Sequence, residues 1–236
     1  MVEHDFPGRH SIARISMRNY LSTVHLWAAI HFAERAKALE FDPAARKGYN
    51  IEHAAYVVGS VTEAAAFLES AVNELFLDCR DGHQSYITGL SAADKNALAA
   101  RWNDWHAPEQ RPRWIETLEK YQTALRSCGL RVFDKGLSPY QDAKLVMSLR
   151  NGLVHFTPED LSSDDRHELG DALRAKFDSN KLFPEPSGNP YFPSRCLGYG
   201  CAAWAVSSSR RFADEFFAKL RVSPNYQISG FIRDSA

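Results

Sequence analysis

The chain has few of the features that would announce a familiar chemistry. Its 236 residues include four cysteines, Cys79, Cys128, Cys196 and Cys201. They form no CxxC pair and show no disulfide-like density. Cys196 and Cys201 flank an irregular turn without matching ligands and read as packing cysteines. Reduced thiols and a cytoplasmic setting are the expectation. Neither sign of charge prevails, with 28 Lys and Arg against 29 Asp and Glu and a net charge of -1. An overall basic field for nucleic acid is therefore excluded, although a local basic groove is not. No apolar run approaches the roughly 18 residues of a membrane span, so no membrane association is expected. Met1–Gly8 has no charged head followed by an apolar stretch, which predicts no secretory leader. No Gly-rich phosphate loop, GxSxG elbow or kinase motif is present. His25 and His31 are not at the i, i+4 spacing of a helical metal pair. No metal and no cofactor are expected.

What is present is helical periodicity. With 44% hydrophobic and 12% aromatic residues, the chain can build a core as one domain over 1–236. Leu21, Val24, Ala28, Phe32 and Leu39 repeat at helical spacing over 17–40, which Pro43 ends. Val57, Val61, Ala64, Leu68, Val72, Leu75 and Phe76 form a continuous stripe over about 50–79, broken weakly at Gly59. A helix of that length spans about 42 Å and suits the centre of a bundle. Ser91 caps a helix to about Trp105. Pro112 suits the start of another, through Leu118, Tyr121 and Leu125 to Gly129. Ser138-Pro139 opens a helix whose apolar set is Leu145, Val146, Leu149, Leu153 and Phe156, with Thr157-Pro158 interrupting it. Further helices are predicted over 160–177 and about 199–221. Residues 183–198, with four prolines, read as an irregular loop. Tyr226–Ile232 is the one plausible short strand. The fold class is thus all-α: a bundle with a long central helix.

Within the helix after Pro139 lies Ser148-Leu149-Arg150-Asn151-Gly152-Leu153-Val154-His155-Phe156. Arginine is rarely buried unless paired, so an Arg, an amide and a His in an apolar helix suggest a site. On a continuous helix Arg150 and His155 lie about 140° apart, whereas Asn151 and His155 share a face. Arg150 has the stem to reach round, and Gly152 leaves space at the backbone. These types suit a phosphodiester. Arginine matches phosphate oxygens with a planar fork. Histidine moves protons near neutrality. Asparagine orients either one. A base could activate an RNA 2′-OH, and Arg150 could stabilise the charge that develops. One chain supplies one such histidine, so a two-fold dimer bringing two copies together is attractive. A structural role remains open too: Arg150 paired to a carboxylate of the central helix, and His155 a satisfied histidine near a helix end.

Glu69 and Asn73 share a face of the central helix and could hold Arg150 or His155 in place; they equally fit a solvated face. Glu63, Ser70 and Glu74 form a neighbouring polar stripe with Phe67, suited to a bundle or dimer surface. Trp102, Trp105 and Trp114 interleave with Arg101, Arg111 and Arg113. Such a segment could stack bases, but core aromatics beside a charged face are favoured.

The segment Ser148–His155 resembles the RxxxxH signature of HEPN domains, including the polar residue after the arginine. Ala66-Phe67-Leu68-Glu69-Ser70-Ala71-Val72-Asn73-Glu74-Leu75 resembles the acidic helix that packs against the motif helix in that family. Their order matches as well. The resemblance covers about 15–160, with the helix at about 199–221 completing the bundle and about 80–138 forming an insertion longer than a minimal HEPN domain carries. It implies an all-α, commonly dimeric protein. It implies a metal-independent endoribonuclease, in a toxin–antitoxin or phage-defence role, with Arg150, Asn151 and His155 catalytic and Glu69 and Asn73 supporting them. An RNA substrate and an antitoxin or nucleotidyltransferase partner would follow. Other members are non-catalytic, so a module binding RNA, a nucleotide or a protein partner is the alternative.

Overall fold

One long helix organises the molecule. The computed structural model describes residues 18–107, 115–158, 167–186 and 188–228, and among these the regular secondary structure is entirely helical. In chain order the helices are α1 (Ser22–Glu40), α2 (Ile51–Asp81), α3 (Gln84–Ile87), α4 (Ala92–Trp105), α5 (Thr117–Ser127), α6 (Tyr140–Val154), α7 (Glu168–Leu173), α8 (Tyr199–Leu220) and α9 (Asn225–Ile228). No helix of the described residues is long and apolar enough to cross a membrane.

The Asn50 side chain opens α2 by accepting the His53 N–H at 3.0 Å. Gly82, at φ 69°, closes it in the left-handed conformation that glycine adopts freely. Every member of the expected stripe, from Val57 to Phe76, is fully buried. Each large apolar side chain so buried contributes about 1.5–3 kcal/mol. Gly59 is a point of close approach: a Cβ there would stand 3.0 Å from the Phe32 ring of α1. The polar stripe of α2 serves this seam. Glu74 accepts the Ser22 N–H at 2.8 Å and the Ser22 hydroxyl at 2.6 Å, satisfying the start of α1. His25 Nδ1 lies 2.5 Å from Glu63.

On the other faces of α2, α8 brings Phe212 and Phe216 edge-on to Tyr121 of α5. The Tyr121 hydroxyl donates to the Leu68 carbonyl at 2.7 Å. Trp102 and Trp105 of α4 pack on Phe76, so they are core aromatics. Arg111, Arg113 and Trp114 lie outside the described residues.

Four expectations need correction or a narrower bound. The helix expected from Pro112 begins at Thr117, because Glu116 is already extended, at φ -57° and ψ 142°; Pro112 itself lies outside the described residues. Of the short helical segment expected within 160–177, the described part is helical at Glu168–Leu173, between the extended N-cap His167 and the turn after Leu173; residues 160–166 lie outside the described residues. Ser138 does not cap α6: Pro139 takes the N-cap position, and the Ser138 hydroxyl donates to Asp142 at 2.6 Å. Where the short strand was expected to start, the chain is helical at Asn225–Ile228; residues 229–232 lie outside the described residues. Tyr226 is buried edge-on against Phe67 and donates its hydroxyl to Asp214 at 2.9 Å. That burial overrides the local alternation.

Candidate functional site

Val146 and Leu149 of α6 are fully buried in a cluster with Val61, Ala64 and Ala65 of α2. This orientation leaves Lys144, Ser148 and Asn151 exposed and Arg150 on the flank. Asp142, near the start of α6, accepts Lys176 Nζ at 2.8 Å and Arg211 Nη2 at 2.6 Å. Burial opposes its ionisation, but these partners and the Ser138 hydroxyl hold it below the usual carboxylate range.

The helix ends earlier than the motif does. His155 is the C-cap, at φ -105° and ψ 30°, and its N–H donates to the Asn151 carbonyl at 2.9 Å. Thr157 precedes Pro158, which disfavours helical geometry there. Val154 and Phe156 are exposed, so the buried apolar face stops before them. His155 thus closes the last turn of α6, still about 140° round the helix from Arg150. Both nonetheless line one cavity of about 510 Å³, together with Lys144, Ser148, Asn151 and the start of α5 at Glu116 and Thr117. The side chains of Asn151 and His155 are exposed and make no hydrogen bond to another described residue.

Glu69 Oε2 lies 3.8 Å from Arg150 Nη2, with the two side chains 35% and 25% exposed. Asn73 does not reach the motif; its Oδ1 accepts Lys120 Nζ at 2.8 Å. Burial lowers the Lys120 ammonium below its usual value, and Glu69 pulls in the opposite direction. Glu69 thus lies near two cations, pairing with Arg150 and acting on Lys120 only through its charge, while Asn73 bonds the second. Lys120 escaped the sequence reading because one lysine on the polar side of an amphipathic helix carries no signal of its own.

His167 was also missed. It lines a smaller hollow of about 190 Å³ with His155 and Phe156. Its Nδ1 accepts the Gly170 N–H at 3.2 Å, and its ring stacks on Phe192. The only sequence hint was a polar residue ahead of an acidic first turn, the pattern of a helix cap.

The other candidates are structural. Cys196 and Cys201 are fully buried, and burial pushes the Cys79 and Cys128 thiols up to about 12. His31 stacks on Trp27. Among the described residues no group of three or more His, Cys, Asp and Glu side chains is placed to hold a metal ion.

Compared with known proteins, the chain matches no family model, no curated protein and no solved structure.

Proposed function

We propose that the chain is a HEPN-type, metal-independent endoribonuclease that acts as a homodimer. The observation that carries this reading is the cavity of about 510 Å³ that gathers Arg150, Asn151, His155 and Lys144 at the end of α6. Two cationic side chains, a proton carrier and an amide line one polar hollow, beside a carboxylate 3.8 Å from Arg150. In this scheme His155 takes the proton from an RNA 2′-OH as that oxygen attacks the adjacent phosphorus. The bond to the 5′-oxygen breaks, leaving a 2′,3′-cyclic phosphate and a 5′-hydroxyl. Arg150 binds the phosphate and stabilises its added negative charge, and Asn151 orients the reacting groups. The proton that the 5′-oxygen needs comes from the second copy's motif across a two-fold axis.

The test is RNA cleavage in EDTA by wild type, His155→Ala and Arg150→Ala. Each substitution is expected to lower cleavage by at least 100-fold, on the order of a lost proton-transfer or oxyanion-stabilising group. The double variant should lose little more than either single one, because both groups act on one transition state. DNA, lacking the 2′-OH, should survive. Undiminished cleavage by His155→Ala refutes the assignment.

The unpartnered, exposed Asn151 and His155 also suit a non-catalytic HEPN-like module that binds RNA, a nucleotide or a partner such as an antitoxin or nucleotidyltransferase. Salt-dependent RNA binding without cleavage, by a folded dimer, selects that reading.

A further inference from the structure

A second cavity shares the end of α6 but has the opposite chemistry. It holds about 300 Å³ between Ala54 and Val58 of α2, Leu153 and Phe156 of the motif segment, and Phe183 and Pro193. That size lies at the lower end of small-molecule pockets, whose walls are mostly apolar with a few placed polar groups. The polar groups here are largely committed. Asn50 Oδ1 caps His53. Asn180 accepts the Leu182 N–H at 2.9 Å and donates to the Leu197 carbonyl at 2.9 Å.

His53 differs. It lines this cavity with a side chain 2% exposed, and its Nε2 lies 2.9 Å from Glu40 Oε2. Glu40 also accepts the Tyr199 N–H at 2.6 Å and the Lys181 N–H at 2.9 Å. These donors hold the Glu40 carboxyl below its usual range, so near neutral pH it is ionised and only accepts, and His53 donates to it from Nε2. In the neutral imidazole that leaves a lone pair on Nδ1, which has no hydrogen-bond partner among the described residues and is not sealed from solvent.

We infer that this cavity is a binding site for a compact aromatic molecule bearing one hydrogen-bond donor, a hydroxyl or a ring N–H, which His53 Nδ1 accepts. The apolar walls take the ring, and the Glu40-anchored imidazole selects for the donor. A flat ring without a donor leaves Nδ1 unpaired in a desolvated site, so it binds more weakly. The site does not depend on ribonuclease activity, since its occupant is read without RNA.

Calorimetric titration with 2-naphthol and with 2-fluoronaphthalene, of nearly the same shape but without a donor, tests this directly. 2-Naphthol is expected to bind about tenfold more tightly, the equivalent of one net hydrogen bond. Its arrival should also shift the ¹⁵N resonance of His53 Nδ1. Replacing His53 would strand Glu40 and risk the fold, so the cavity is filled instead with Val58→Trp and, independently, Ala54→Phe. Either filled variant that keeps the wild-type circular dichroism should lose 2-naphthol binding. Equal affinity for the two probes, retention of binding in a folded filled variant, or no 2-naphthol binding at millimolar concentration overturns the inference.

Discussion

Glu40→Gln probes a buried polar junction that fastens α1. Glu40 ends α1, and its carboxylate receives His53 from α2, the Lys181 N–H and the Tyr199 N–H at the start of α8. Three segments distant in sequence are thus fastened to α1 by two oxygens that are almost fully buried. Glutamine keeps the shape but turns one acceptor into a donor. If its oxygen stays with His53 and Tyr199, its NH₂ faces the Lys181 N–H. One buried donor is then unsatisfied, at about 1–3 kcal/mol, and two charge-assisted bonds become neutral ones, together about 1 kcal/mol weaker. The expected loss is about 3 kcal/mol, or roughly 6–12 °C in melting temperature for a chain of this size. Urea unfolding followed by circular dichroism at pH 7 measures it.

The pH dependence gives a second reading of the same contact. Burial raises the Glu40 pKa, but the His53, Lys181 and Tyr199 hydrogen bonds outweigh it and hold the group below its ordinary 4.5. A carboxylate depressed by folding contributes stability that is complete above the unfolded value and disappears as pH falls through the folded one. The gap between wild type and Glu40→Gln should therefore be full above about pH 4.5 and narrow on acidification. Equal stability at pH 7, or a gap that widens in acid, refutes the reasoning.

Three further outcomes are expected. Glu69→Ala should cost about 1 kcal/mol in urea unfolding, because a pair 3.8 Å apart and about one-third exposed is well screened; a loss above about 3 kcal/mol would mean that Arg150 behaves as a buried charge. Gly198→Ala should destabilise by about 1–3 kcal/mol through overpacking, since its Cβ would lie 2.6 Å from Asn180 Cα and 3.0 Å from Glu40 Oε2; an unchanged thermal melt would contradict that close approach. His167→Ala should leave RNA cleavage within about threefold of wild type if the second proton carrier comes from another copy, whereas a loss as deep as the 100-fold expected of a proton-transfer group would place both carriers in one chain.

The parts of this fold that could be read ahead are those in which one element states its own environment. The α2 stripe repeats for seven apolar positions, and a face that regular has one solution, burial against the neighbouring helices of a bundle. The helix at Tyr199–Leu220 was equally plain. Where tertiary contacts decide, local pattern failed: Tyr226 looked like part of a strand, yet its ring is held by Phe67 and its hydroxyl by Asp214. The grouping of Arg150, Asn151 and His155 around one cavity followed from their closeness in sequence. The end of α6 at Val154 did not, because Pro158 acts at a distance of several residues. Asn73 shows the limit of face-sharing arguments. Its spacing placed it beside Glu69, but only the packing of α5 could reveal that its partner is Lys120. The Glu40–His53 junction was invisible for the same reason, being completed by backbone groups more than 140 residues away.

The last turn of α6 and its cap, after Asn151, border three hollows. Asn151 and His155 face the polar one, Leu153 and Phe156 the apolar one, and His155 and Phe156 the small one that also contains His167. Neighbouring residues of a single turn cannot be displaced independently. An occupant that favours one position of this turn biases the other chambers, and thermodynamic reciprocity makes the influence equal in both directions. A small molecule seated against Leu153 and a polyanion seated against Arg150 would then report on each other through the backbone of Arg150–Leu153.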